Sequence, residues 1–229
     1  MKGRKIPIGV FDIIGPIMVG PSSSHTAGAV RIGYIAGLLL GEPVKEARID
    51  LYGSFLATGK GHGTDRALVA GLLHMKPDDS RIPYSFRIAE EAGVKITFGQ
   101  ADLRDVNPNT ARIRMIGVSG QTMEVTGSSL GGGRIRICQV DGIEAHFSGE
   151  SPTLVIRNQD IPGSVTEVTS LLKEKEVNIA TMQLYRDSPG GDAVMVLECD
   201  QEVPEEIREQ LRRLPEVQKV TYLSLKEGE

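Results

Sequence analysis

The chain has 229 residues, and its 26 Lys and Arg against 30 Asp and Glu leave a formal net charge of -4, which offers no electrostatic footprint for nucleic acid or an anionic membrane. No apolar run approaches the ~20 residues that span a bilayer. The start MKGRKIPIGVFDIIG lacks a long apolar segment ending in a small-residue cleavage site, so the protein is expected in the cytoplasm. Two cysteines, Cys138 and Cys199, are too few for a four-thiolate cluster site. They lie on the alternating stretches RIRICQV and AVMVLEC and read as small buried hydrophobes. The length suits two modest domains, each with its own core.

In chain order, Thr26 to Gly41 is rich in small and apolar residues and predicts a largely buried helix. Arg48 to Phe55 is strand-like, Asp65 to His74 is a second helix, and Pro83 to Glu91 a third. From Val94 onward VKITFG, ARIRMIG, QTMEVTGSS and GRIRICQVDG alternate with period two, so sheet follows. This first part is an α+β domain, residues 1 to 148. HFSGESPT marks a boundary at Ser148 to Pro152. Beyond it, Thr153 to Asn158 is a strand. DIPGS then opens a helix with Val165, Val168, Leu171 and Leu172 on one face, and Asn178 to Arg186 and Ala193 to Cys199 are two more strands around the loop SPGGD. Pro204 starts a helix with Ile207, Leu211 and Leu214 in register, and Val217 to Leu225 closes the unit. Residues 152 to 229 thus read as βαββαβ, a split βαβ sandwich of ferredoxin-like form.

Three motifs carry candidate chemistry. GPSSSHTAG, Gly20 to Gly28, sets hydroxyls and an imidazole beside the free amides of a helix start, an arrangement suited to a carboxylate or phosphate. Its simpler reading is capping by Ser24 or Thr26. GKGHGTD, Gly59 to Asp65, reads as a glycine loop around Lys60 and His62. His62 is the best general-base candidate, since its ordinary pKa of ~6.5 lets it exchange a proton near neutrality; Asp65 either orients it or caps the next helix. His74 and His146 lack such settings. GSSLGGGR, Gly127 to Arg134, resembles an anion-binding nest but lacks the context of a P-loop, and a tight turn between strands, with Ser128 and Ser129 facing a shared site, suits it better.

Together GPSSSHTAGAVRIG, YGSFLATGKGHGTD and TGSSLGGGRIRI resemble the β chain of bacterial iron–sulfur L-serine dehydratases, over essentially the whole chain. The resemblance implies conversion of L-serine to pyruvate and ammonia without pyridoxal phosphate. It also implies a [4Fe-4S] cluster whose cysteines belong to a partner α chain, so that this chain binds none alone. The N-terminal region is also similar to the allosteric substrate-binding domain of some phosphoglycerate dehydrogenases. The C-terminal unit is similar to ACT domains, which dimerise and bind small amino acids between protomers. That likeness points to Asn158, Asp160 and Gly163 as effector positions, with Asn178 and Ile179 facing them. A histidine is common at the place of Asn158 in serine-sensing dehydrogenases, a departure here.

On this reading His62 takes the Cα proton, and Ser22, Ser23, Ser24 and Thr26 hold the substrate carboxylate with Gly63 and Thr64 alongside. His25 or Asp65 orients the base. Two rivals remain. A pyridoxal-phosphate enzyme would use Lys60 as its Schiff-base lysine and GSSLGGGR for the phosphate. A purely regulatory amino-acid-binding subunit would use GPSSSHT as an effector site.

Overall fold

The computed structural model describes residues 17–104 and 106–224. The opening MKGRKIPIGVFDIIG and Leu225 lie outside them. The first sheet has six strands: β1 (Val44–Tyr52), β2 (Lys95–Gln100), β3 (Asn109–Gly117), β4 (Thr122–Gly131), β5 (Arg134–Val140) and β6 (Ile143–Phe147), in the order β2-β1-β3-β4-β5-β6. Only β2 runs parallel to its neighbour β1. The crossover between those two carries α2 (Gly53–His62), α3 (Thr64–Leu72) and α4 (Ser85–Glu91), as a parallel pairing requires a long connection. The strands from β3 to β6 follow one another as hairpins. The turn of GSSLGGGR, between β4 and β5, has φ of +63° at Gly132 and +78° at Gly133, the left-handed pair that a tight hairpin favours.

One helix before β1, α1 (Ala29–Leu40), buries Ile32, Ile35, Leu39 and Leu40 on the sheet. It ends at Gly41 in the left-handed conformation, a usual helix stop. Ahead of it, Ser23–Gly28 forms a π turn, so the expected helix from Thr26 is α-helical only from Ala29. α1 and α3 pack backbone to backbone: a Cβ on Gly71 would overlap the Val30 carbonyl and the Tyr34 amide, and one on Gly33 the Leu68 carbonyl.

Two expectations fail between Arg48 and Asp65. β1 stops at Tyr52, not Phe55, because Ser54 and Phe55 donate their amides to the Pro108 carbonyl at 2.8 and 3.4 Å and Gly53, at φ +58°, packs on Pro108. The predicted glycine loop is the last turn of α2. Glycines disfavour helix by up to ~1 kcal/mol each, but Phe55 is fully buried and Gly59 sits against Thr64, and this packing overrides the propensity.

The second sheet contains β7 (Thr153–Gln159), β8 (Ile179–Arg186), β9 (Asp192–Cys199) and β10 (Val217–Leu223), antiparallel in the order β10-β7-β9-β8, with α5 (Ser164–Glu174) and α6 (Glu205–Arg212). This is the expected βαββαβ order. Leu154, Ile156, Met195 and Leu197 pack under the two helices with Val168, Leu172, Ile207 and Leu211. The alternate residues Val155, Val194 and Val196, with Leu223, join the core of the first sheet. A strand buried on both faces loses its apolar–polar alternation; the second unit has a core of its own under its helices, and the other face of its sheet extends the core of the first. The link from β6 to β7 is packed as well, with Gly149 at φ +73° beside Ile35 and Leu223.

Candidate functional site

The π turn, the end of α2 and strand β4 meet at one place. Ser22 caps the turn, its hydroxyl accepting from the His25 amide at 3.1 Å. A π turn carries one more residue than an α-helical turn, and such turns recur at functional sites. Here the turn presents His25 to α2. It rests on Ser129 of β4, which a Cβ on Gly28 would strike.

On α2 the side chains of Ser54, Thr58 and His62 repeat at i, i+4 and i+8, so they share one face. The His62 Nδ1 lies 3.1 Å from the Thr58 carbonyl. A carbonyl only accepts, so Nδ1 carries a proton, and in the neutral ring Nε2 keeps the free lone pair that a general base needs. The His25 Nε2 sits 3.2 Å from the Ser54 hydroxyl and 3.1 Å from the Thr58 hydroxyl. The two imidazole rings are 4.9 Å apart between centroids and tilted by 37°, and the Phe55 ring meets His25 edge-on at 5.3 Å. Burial, and then the nearness of His62, hold the His25 pKa below its usual value, with Ser54 opposing. Thr58, which the sequence reading did not single out, is the residue that positions both rings. Its spacing to His62 was visible, but it carries meaning only on a helix.

The remaining candidates divide. Ser22, Ser23 and Ser24 are half-buried on the turn. Thr26 is only 2% exposed and donates its hydroxyl to the His62 carbonyl at 3.4 Å, so it ties the turn to the end of α2. Gly63, at φ +72°, ends α2. Thr64 is fully buried, with its hydroxyl unpartnered among the described residues. Asp65 lies in the first turn of α3, accepts from the Arg66 amide at 2.8 Å and bonds to neither imidazole. Ser128 and Ser129 do not share a site, because adjacent strand residues face opposite sides of a sheet. A pocket of about 220 Å³ opens beside His62, lined by Lys60 and Arg66 together with Gly20, Pro21 and Ile82. Thr26 lines it too, and these two cations face the space where a substrate carboxylate would lie.

In the second sheet Asn158 lies at the end of β7 and Asp160 just beyond it, and Gly163 caps α5 at φ +102°. The Asp160 carboxylate accepts from Arg186 at 2.7 Å and from the Gly190 amide at 3.2 Å, and the Arg186 bond holds its pKa below the usual value. Asn178 and Ile179 lie at the opposite end of the sheet: Ile179 pairs with Cys199, whereas Asn158 pairs with Ala193 at the other end of β9. Asn178 bonds there to Asp200 and Gln201. Within one chain the two groups therefore do not face each other.

Neither cysteine fits a cluster. Cys199 is 1% exposed, and burial, then Asp200, push its thiol up to about 11, which keeps it protonated. Cys138 is half-buried on the other sheet, against the expectation of burial. Among the described residues no three His, Cys, Asp or Glu side chains gather as a metal site.

The family described as serine dehydratase beta chain matches residues 9–139. The chain belongs to this family. The ACT domain family matches residues 153–216. A probable L-serine dehydratase beta chain of Bacillus subtilis (strain 168) is 41% identical over 94% of this chain and 97% of its own length. The L-serine dehydratase beta chain of Peptoniphilus asaccharolyticus is 39% identical over 86% of this chain and 90% of its own. A D-3-phosphoglycerate dehydrogenase of Bacillus subtilis (strain 168) is 25% identical over 86% of this chain but 37% of its own length. This serine dehydratase beta chain thus spans nearly the full length of its family relatives, with its imidazole pair inside the family match.

Proposed function

We propose that this chain is the beta subunit of a cytoplasmic L-serine dehydratase, acting with an alpha subunit that carries a [4Fe-4S] cluster. The observation that carries the reading is His62, its Nδ1 locked on the Thr58 carbonyl and its Nε2 left free beside the pocket of Lys60 and Arg66. Deamination requires the serine Cα proton to pass to a base and the β-hydroxyl to leave as water. The resulting enamine becomes an imine that hydrolyses to pyruvate and ammonia. His62 Nε2 takes the Cα proton, and Lys60 and Arg66 hold the carboxylate. Cα–H is a weak acid, and pairing the carboxylate with cations eases the charge that develops next to it. The group that assists hydroxide departure comes from outside this chain, whose two thiols do not fit a cluster.

Residues 1 to 148 form the dehydratase part on this reading and 152 to 229 the ACT part. The ACT part forms a homodimer contact, in which Asn158, Asp160 and Gly163 of one chain meet Asn178 and Ile179 of a second around a small amino acid. Support comes from the exposed Met182 and Leu184 on the edge strand β8. The test is coexpression with the alpha chain and an anaerobic assay for pyruvate from L-serine. Turnover is expected only with both chains; equal turnover by the alpha chain alone overturns the reading.

A further inference from the structure

The junction of the two units holds another cavity, of about 480 Å³, within the usual size of a small-molecule site. It is lined by Leu38 and Gly41 at the end of α1, by Arg208 and Arg212 on α6, and by Lys219 and Tyr222 on β10. Neither the imidazole pocket nor the ACT positions named above contribute a residue to it.

Three cations line this cavity, and their partners do not balance them. Arg212 reaches Glu205 at 2.9 Å and also Glu209, and Arg208 Nη2 reaches Glu205 at 2.6 Å. Those two carboxylates answer the two guanidinium charges. Among the described residues no carboxylate forms an ion pair with Lys219. Its side chain crosses from β10 to lie against Gly41, and its ammonium donates to the Leu40 carbonyl at 2.6 Å. An ammonium has three N–H donors, so two are left. Burial, and then the charge of Arg157, hold the Lys219 pKa below its usual value, with Asp141 and Glu42 opposing. A charge drawn out of water costs free energy unless it is paired, and here the counter-ion is missing.

Arg208 shows a matching deficit. Its guanidinium lies over the Tyr222 ring, 4.6 Å from the centroid, and its Nε is buried with no hydrogen-bond partner among the described residues. One residue on α6 and one on β10 therefore lack the same thing, a negatively charged acceptor.

We propose that this cavity binds a small organic anion, whose carboxylate or phosphate group is held between the Lys219 ammonium and the Arg208 guanidinium. Hydrogen bonds from either cation to an oxyanion are charge-assisted and stronger than neutral ones. Leu38 and Tyr222 supply apolar surface for the rest of the ligand. The site joins the end of α1 to the second sheet, so an occupant clamps the two units together. It stands on geometry separate from the imidazole pocket and does not depend on the dehydratase reading.

The test records proton–nitrogen NMR spectra of the full chain during titration with sodium phosphate and with sodium acetate, against sodium chloride at equal ionic strength and pH. Saturable shifts are expected at the Gly41 and Thr221 amides and at the Arg208 Nε–H, the last identified by its loss in Arg208→Gln. Tighter acetate binding identifies a carboxylate ligand, and tighter phosphate binding a phosphorylated one. Arg208→Gln and Lys219→Met should each weaken the affinity about tenfold, the loss typical of a hydrogen bond to a charged group. The shifts in the native chain decide the question if neither variant folds. His62→Asn should leave both the shifts and the affinity unchanged. Shifts at Gly41 and Thr221 no larger than those from chloride, an affinity unaltered in both cation variants, or binding abolished by His62→Asn would each overturn the proposal.

Discussion

Thr58 decides the chemistry of both imidazoles, with its carbonyl fixing the tautomer of His62 and its hydroxyl reaching the His25 Nε2. Because burial is the larger cause of the lowered His25 pKa and His62 the smaller, replacing His62 by Gln should raise the His25 titration without restoring its ordinary value. NMR of the imidazole carbons against pH checks this, and an unchanged or lower titration would contradict it. The sign for stability follows. A histidine that folding keeps neutral binds fewer protons folded than unfolded, so its stability contribution is complete above about 6.5 and is lost as pH falls through the lower folded value. The sequence singled out His62 as the base candidate. Thr58 and Ser54 were not singled out, because i and i+4 partners gain meaning only once the glycine-rich stretch is known to be helical.

At the scale of elements, the site exists because the π turn, α2 and α3 are pressed together at glycines. Gly71→Ala would set a methyl against the Val30 carbonyl and Tyr34 amide, and overpacking of this kind costs about 1–3 kcal/mol. The expected outcome is a lower denaturant midpoint with an unchanged slope, read by urea unfolding followed by circular dichroism. A midpoint equal to that of the native chain would mean that α1 and α3 can part without cost. The strands were legible, since period-two alternation survives in β3, β4 and β5. The helix at Gly53–His62 was not, because its glycines signal a loop and only the burial of Phe55 and the bond to Pro108 make it helical. Alternation also corrects the reading of GSSLGGGR: Ser129 supports the π turn while Ser128 faces the opposite side of the sheet.

Across the whole molecule, Val155, Val194 and Val196 place the second sheet on the core of the first. The Lys219 ammonium donates to the Leu40 carbonyl at 2.6 Å, and Gln183 to the His146 carbonyl at 2.9 Å, across the same junction. Scanning calorimetry is therefore expected to give one cooperative transition, with calorimetric and van't Hoff enthalpies in agreement. Two resolved transitions would show that the sheets unfold separately. The sequence carried the βαββαβ order through turn residues and helix periodicity, but the sharing of one core was hidden, because an apolar run such as TLVI does not say which partner covers each face. The account rests most heavily on His62 as the group that takes the Cα proton. Measuring kcat for pyruvate formation by the alpha–beta complex with His62→Ala tests it directly. A loss of at least about 100-fold, the low end for removing a general base, is the expected result, and turnover close to that of the native complex would contradict it.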